Sequence, residues 1–226
     1  MLISIIIPTL NEEAFISEVL EHSLKLSGHF EIIVVDGGSQ DLTLEKAKRF
    51  KSVSVLKTSK GRANQMNFGA RHARGNLLLF LHADTFLPED AYASIVELCQ
   101  DPDVIGGSFR LMMKDTHPIF KFYKWCSQFS LEFFTYGDHA IFVKAETFKK
   151  INGFKSITFM EDVEIQKRLR KQGKFKKLKT SVITSNRRFQ KNGVLTQLTL
   201  DTVLVMLFKL GIAPNQLKRF YPDHKA

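Results

Sequence analysis

Carboxylates stand at three places where apolar runs of this chain give out. Asp36 follows FEIIVV (residues 30–35), Asp84 follows LLLFLHA (residues 77–83), and Glu161-Asp162 open the stretch VEIQKRL. An acid at the end of a buried strand either caps the next turn or faces a ligand. In an open α/β sheet, ligands bind beyond the carboxyl ends of the strands, where the strand order reverses. The run before Asp84 supports both readings. After Asp36 comes Gly37-Gly38-Ser39-Gln40-Asp41. Glycines there allow close backbone approach, and the amides of a following helix favour an anion; an ordinary βα loop has the same composition. Glu161 and Asp162 complement a helix dipole whatever else they do.

The elements that must position these groups can be read from periodicity. LISIII (residues 2–7), closed by Pro8, is a β-branched strand, and LLLFLH (residues 77–82) is too short for a membrane span and suits a strand buried on both faces. Between them lie the strands FEIIVV and VSVL (residues 53–56). Thr9 or Asn11 is the expected N-cap of a first helix, with Glu12-Glu13 in its first turn. A third helix follows Lys60-Gly61-Arg62 and carries Asn64, Gln65 and Asn67. Pro88 fits the first turn of a fourth. Four strands alternating with helices imply right-handed crossovers and a parallel sheet covered on both faces. In the order 3-2-1-4, Thr9 to Glu12, Asp36 and His82 to Asp84 line one crevice. The second half reads as a longer strand with a glycine break (VIGGSFRLMM, residues 104–113), an aromatic helix (residues 120–134), a turn at residues 136–140 into a strand, a short helix (residues 145–151), the helix at Glu161-Asp162 and a basic strand (residues 174–184). The helix LTQLTLDTVLVMLFKL (residues 195–210) is apolar nearly all round, which predicts burial. The basic tail PNQLKRFYPDHKA (residues 214–226) is expected to fray.

With 226 residues, 44% hydrophobic and 25% charged, the chain can bury a sizeable core. Its net charge of +10 favours anionic partners: phosphates, nucleotides, anionic lipid or nucleic acid. No RNA-binding aromatic signature, zinc-finger spacing or recognition helix is present, so nucleic acid is not expected. Cys99 and Cys126 have no metal-ligand spacing and are too few for a disulfide scaffold, which makes a reducing cytoplasm the expectation. MLISIIIP reads as a strand rather than a signal peptide, and no window reaches 18 uninterrupted apolar residues.

The stretches SIIIPTLNEE, IIVVDGGSQDLT, GRANQMNFGA, LLLFLHADTFLP, GDHAIFVKAETFKKINGF and MEDVEIQKRLRKQG, spread over residues 4–173, together resemble the inverting glycosyltransferases of family 2. At subfamily level the chain resembles the small soluble branch found beside radical-SAM genes and associated with arsenosugar biosynthesis. The resemblance implies an α/β fold of the GT-A, Rossmann-like nucleotide-diphospho-sugar transferase type, with a mostly parallel central sheet and helices on both faces. It implies a single domain over residues 1–226: a nucleotide-binding half to about residue 100, an acceptor and catalytic half to about 190, then a C-terminal helix and basic tail. Pro8, Thr9, Asn11 and Glu12 fall where the family holds the nucleotide. Asp36, with Gly38, matches the carboxylate that bonds the base, and Arg62 and Asn64 match the loop flanking base and ribose. His82-Ala83-Asp84 stands where the family has its DxD motif, so Asp84 is the implied ligand of Mg²⁺ or Mn²⁺; His82 in place of the first acid leaves one carboxylate fewer. Asp162, beside Glu161, matches the catalytic base. Arg188 is placed near the leaving diphosphate, and Gly137, Asp138 and His139 near the acceptor.

The chemistry asks for these residue types. A nucleotide diphosphate carries charge that must be neutralised as its bond to the sugar breaks, by a hard divalent cation and basic side chains. A carboxylate must take the proton of the acceptor hydroxyl. A single displacement inverts the anomeric centre; retention usually needs a second nucleophile. The expected partners are therefore a nucleotide-sugar donor, UDP-linked by preference, and a hydroxyl acceptor that is a small molecule or lipid-linked. Membrane contact is expected to be peripheral at most, at the inner surface, and the sequence permits a homodimer. Two other readings compete: a nucleotide-binding or basic membrane-surface protein on the same fold without transferase activity, and a nucleotidyltransferase. The latter would want a Gly-rich basic loop after strand one, where this chain has the acidic PTLNEE.

Overall fold

The computed structural model describes residues 1–113 and 139–221. The expected aromatic helix over residues 120–134, with Gly137 and Asp138, lies outside them, and so does the side chain of Arg188. Strands β1 (Ile3–Thr9), β2 (Phe30–Asp36), β3 (Val53–Lys57) and β4 (Leu77–Phe80) are parallel and ordered β3-β2-β1-β4. Their side chains alternate between two cores. Ile3, Ile5, Ile7, Leu77 and Leu79 enter one, and Ile6, Leu78 and Phe80 enter the other. Both faces are covered, which is why the runs are apolar without polar alternation. Helices α1 (Ile16–Lys25), α2 (Thr43–Lys48) and α4 (Ala91–Leu98) pack on the first face. Helix α3 (Arg62–His72) packs on the second, with α5 (Ala145–Lys150) and α6 (Glu161–Leu169). Each such side chain contributes about 1.5–3 kcal/mol when fully buried.

The rest of the sheet carries the chain back to the site. β7 (Ile141–Lys144) runs antiparallel between β4 and β6 (Val104–Met113). β6 pairs in parallel with β8 (Lys174–Thr184), and the short β5 (Thr85–Phe86) pairs antiparallel with β8. β5 thus follows β4 closely in sequence yet closes the far edge of the eight-stranded order. The sheet curls, and the end of β8 comes to the turn after β4, where Thr184 pairs with Thr85 and their hydroxyls lie 2.9 Å apart.

Several local expectations are corrected. Residues 81 and 82 lie beyond β4, which ends at Phe80. Neither Thr9 nor Asn11 caps α1, which starts at Ile16 without a side-chain cap. Thr9 is still strand, and Asn11, at φ +54°, spends its side chain on a neighbouring loop. Pro88 precedes α4 in a turn, its carbonyl accepting from the Ala91 amide. The glycines of β6 do not break it. A Cβ on Gly107 would collide with the Lys176 carbonyl, so this glycine lets β8 close in. A short helix α7 (Arg187–Asn192) follows β8, and α8 (Val194–Lys209) is only half-buried. Gln197, Leu204 and Val205 face inward, whereas Val203, Met206 and, just beyond the helix, Leu210 are exposed. The tail does not fray through residue 221: α9 (Pro214–Leu217) and a 3₁₀ turn (Lys218–Phe220) are anchored by buried Leu217 and by Tyr221, whose ring lies 4.9 Å from Phe159. Among the described residues no helix is long and apolar enough to cross a membrane.

Candidate active site

The expected residues gather at the carboxyl edge of β1, β2 and β4, where two βα loops are laced together. Asp36 is buried at the end of β2, and its carboxylate accepts the Gly38 and Ser39 amides at 2.9 Å. Gly38 adopts φ +94°, a conformation few other residues take cheaply. The Asn11 amide donates to Ser39 Oγ, and Asn11 Oδ1 accepts from the Gln40 amide, both at 2.9 Å. The Glu12 amide donates to Thr43 Oγ1 at 2.7 Å. Asp41 accepts from the Glu13 and Thr43 amides; burial alone would raise its pKa, but these bonds and the Thr43 hydroxyl outweigh it and hold the carboxyl below its usual value. Beneath the loops, buried Gln65 donates from Nε2 to the Thr9 and Val35 carbonyls, each at 2.8 Å. Asn64 pins the turn before α3, donating to the Ser59 carbonyl at 2.8 Å.

Arg62, the first residue of α3, is a hub. Its Nε donates to Glu161 Oε1, its Nη2 lies 3.7 Å from Asp162 Oδ2, and its Nη1 lies 3.3 Å from His82 Nε2. The two carboxylates reach it because Met160 takes a left-handed conformation (φ +63°) and starts α6 there. Asp162 also accepts its neighbour's amide, Val163 N–H, at 2.9 Å. Pro8, Arg62, His82, Ile141, Phe154 and Asp162 line one cleft. Ala83 is buried between His82 and Asp84. His139 is fully buried, with Nδ1 at 3.1 Å from the Phe109 carbonyl.

A second cation was not singled out by the sequence. Arg187 Nη2 lies 3.0 Å from Glu12 Oε2 and 2.9 Å from Asp84 Oδ2, and its guanidinium sits 4.6 Å over the Phe15 ring. Burial would lower its pKa, but Glu12 and Asp84 outweigh burial and raise it. The resemblance places the adjacent Arg188 near the leaving diphosphate, and the Arg188 side chain lies outside the described residues. The curl that pairs β8 with β5 is what delivers Arg187 to Asp84. Among the described residues no group of three or more His, Cys, Asp or Glu side chains is placed to hold a metal ion. Two hard carboxylates, Asp84 and Glu12, converge on one cation, so a divalent ion fits here only with phosphate oxygens completing its shell.

Residues 4–154 match the family model described as Glycosyl transferase family 2. A "PGL/p-HBAD biosynthesis glycosyltransferase" of Mycobacterium tuberculosis is 34% identical over 140 residues, 57% of this chain and 52% of that protein. The chain spans about half, or less, of the length of the curated relatives it matches. Staphylococcus aureus TarS, solved with UDP, superposes with a TM-score of 0.70 at 18% identity, covering 82% of this chain and 60% of that one. The mannosyltransferase PcManGT from Pyrobaculum calidifontis, solved with GDP-Man and Mn²⁺, gives 0.68 at 19% identity, covering 94% and 66%. The architecture is thus the GT-A fold, as the motifs implied.

Proposed function

Because the chain belongs to glycosyl transferase family 2, we propose that it is an inverting glycosyltransferase moving a sugar from a nucleotide-diphosphate sugar, UDP-linked by preference, to an acceptor hydroxyl. The observation that carries the proposal is the pairing of carboxylates and guanidiniums along one sheet edge: Asp162 and Glu161 on Arg62 beside His82, and Glu12 and Asp84 on Arg187. Neighbours solved with UDP and with GDP-Man support a nucleotide donor.

In this reading the loops ordered by Asp36, Asn11 and Glu12 hold the nucleotide, with Asp36 as base contact, and Thr9, Gly38, Arg62 and Asn64 frame base and ribose. The diphosphate lies over Ala83 and Asp84, where Arg187 opposes its charge. Asp162 takes the proton of the acceptor hydroxyl. The oxygen attacks the anomeric carbon as the bond to the diphosphate oxygen breaks, the leaving group keeps the electron pair, and one displacement inverts the centre. Arg62 stands beside that carboxylate, its Nη2 3.7 Å from Asp162 Oδ2. Asp84, with Glu12 close by, would hold a Mg²⁺ or Mn²⁺ together with the donor's phosphates. Such an ion neutralises charge on the leaving diphosphate.

A small-molecule acceptor accords with the resemblance to the branch associated with arsenosugar biosynthesis. The exposed Val203, Met206 and Leu210, with Lys209 and Arg219 nearby, support no more than peripheral, salt-sensitive contact with an anionic bilayer. The test of the central reading is thermal shift with UDP, GDP and CMP, with and without Mn²⁺. A UDP shift enhanced by Mn²⁺ supports it; no shift with any nucleotide refutes it.

A further inference from the structure

A basic cluster lies on β6 and β8, across β4 from the nucleotide loops, and the donor chemistry makes no use of it. Phe80, Ile141, Ser108 and Lys177 are consecutive partners across β4, β7, β6 and β8, so they form one row on one sheet face. Phe80 and Ile141 line the cleft that holds Asp162. Strands are about 4.8 Å apart, which puts Lys177 roughly 10 Å beyond Ile141. Arg110 stands two residues along β6 from Ser108, on the same face. Arg170 follows α6 directly and reaches over the same patch. Its Nη1 donates to the Phe175 carbonyl at 3.4 Å, and its guanidinium lies 5.0 Å from the Phe175 ring, two residues before Lys177. Asp162 and Arg170 are eight residues apart, roughly 12 Å along the helix axis.

Three cations thus converge where the β6–β8 ladder loses register: Ser108 pairs with Lys177, but Arg110 pairs with Ser181. Such irregularities occur beside sites. Ser108 Oγ and Arg110 Nε are buried and have no hydrogen-bond partner among the described residues. A buried donor left without an acceptor is destabilising, so these groups call for one. Burial, with Arg170 and Arg110 beside it, brings the Lys177 ammonium down to about 7. An oxyanion here would give Ser108 Oγ and Arg110 Nε an acceptor and offset the like charges beside Lys177.

Building on the transferase reading above, we propose that Arg110, Arg170 and Lys177 form a subsite for an oxyanion, a phosphate or a carboxylate, carried by the acceptor about 10 Å from the hydroxyl that is glycosylated. The subsite lies two and three strands beyond β4, on β6 and β8, away from Asp36 and the nucleotide loops. It would select acidic acceptors over neutral ones and hold them with the hydroxyl toward Asp162.

The test is calorimetric titration of the full chain with inorganic phosphate and, separately, acetate at matched ionic strength, each with and without saturating UDP. Binding of one anion or both should persist under UDP, and the arms say which class the subsite takes. Lys177→Met and Arg110→Gln should each weaken that binding at least tenfold while UDP affinity stays within twofold. Lys177→Met removes a buried charge and keeps the protein folded, so it serves if Arg110→Gln does not fold. Anion binding unchanged in Lys177→Met, abolished by UDP, or absent at tens of millimolar would overturn the proposal. If UDP itself fails to bind, the donor reading falls, while the phosphate and acetate arms, which need no nucleotide, still decide the subsite through the variants.

Discussion

Replacing Arg187 by Met keeps the length and apolar stem of the side chain and removes its charge. Two ion pairs are lost, to Glu12 at 3.0 Å and Asp84 at 2.9 Å, along with a cation over Phe15. The Arg187 side chain is 40% exposed, so solvent screens these pairs. Each contributes about 0.2–1 kcal/mol, and the cation–π contact about 0.5–1. The unliganded protein should lose about 1–3 kcal/mol, which lowers its melting temperature by about 2–12 °C. Donor binding should suffer more. A charge-assisted hydrogen bond to a phosphate is worth about 1.5–3 kcal/mol, about 10–100-fold in UDP affinity. The variant also frees Asp84 and Glu12, so Mn²⁺ alone should raise its melting temperature more than that of the wild type. Calorimetry with UDP beside a melting curve separates the effects. A lower melting temperature with wild-type UDP affinity would mean that Arg187 only staples the loop and has no part in holding the diphosphate.

Asp162→Asn should leave UDP affinity nearly intact and cut turnover by roughly 10²–10⁴-fold, the usual contribution of a general base; equal loss of both in paired titration and transfer assays would make Asp162 a ligand of metal or phosphate instead. Asp36→Ala removes the acceptor of the Gly38 and Ser39 amides, so it should cost about 1–3 kcal/mol in denaturant unfolding and weaken UDP binding; wild-type UDP affinity and base preference would show that Asp36 shapes the loop without touching the base. Lys177 titrates near 7 in the folded chain against an ordinary 10.5. The unfolded chain therefore binds more protons between those values, and stability rises with pH across that window by a few kcal/mol at most. Below it the burial cost is fully present, so Lys177→Met should flatten the slope, and equal slopes in urea melts from pH 7 to 10 would contradict the assignment. Liposome co-sedimentation should show weak binding that disappears at high salt; tight binding in high salt would put the exposed stripe of α8 in the bilayer and point to a lipid-linked acceptor.

What was legible in the sequence follows from what sequence encodes locally. The apolar runs at residues 2–7, 30–35, 53–56 and 77–82 announced buried strands, and their alternation with helices announced a parallel sheet covered on both faces; the sequence permitted the β3-β2-β1-β4 order, which the structure supplies. Long-range pairing was not legible. Arg62 meets Glu161 and Asp162 only after α3 and α6 pack on the same face, and nothing near Arg62 signals partners about a hundred residues away. Arg187 bridges Glu12 and Asp84 because β8 closes on β5, a two-residue strand with little sequence signature. Asn11 looked like a helix cap because short polar side chains favour caps, yet the same property serves the Gln40 amide across the loops. The tail looked frayed from composition. Leu217 and Tyr221 find their partners, Met160, Val163 and Phe159, in a segment that only the fold brings close.

The central claim, inverting transfer from a nucleotide-diphosphate sugar with Asp162 as base, is tested most directly by proton NMR of the first-formed sugar product across a panel of UDP- and GDP-sugars with Mn²⁺. The account predicts that an α-linked donor gives a β product before mutarotation, that a UDP-sugar is preferred, and that Asp162→Asn forms the product roughly 10²–10⁴-fold more slowly while still binding UDP. An α product from an α-linked donor, or a product formed at the wild-type rate by Asp162→Asn, would contradict it.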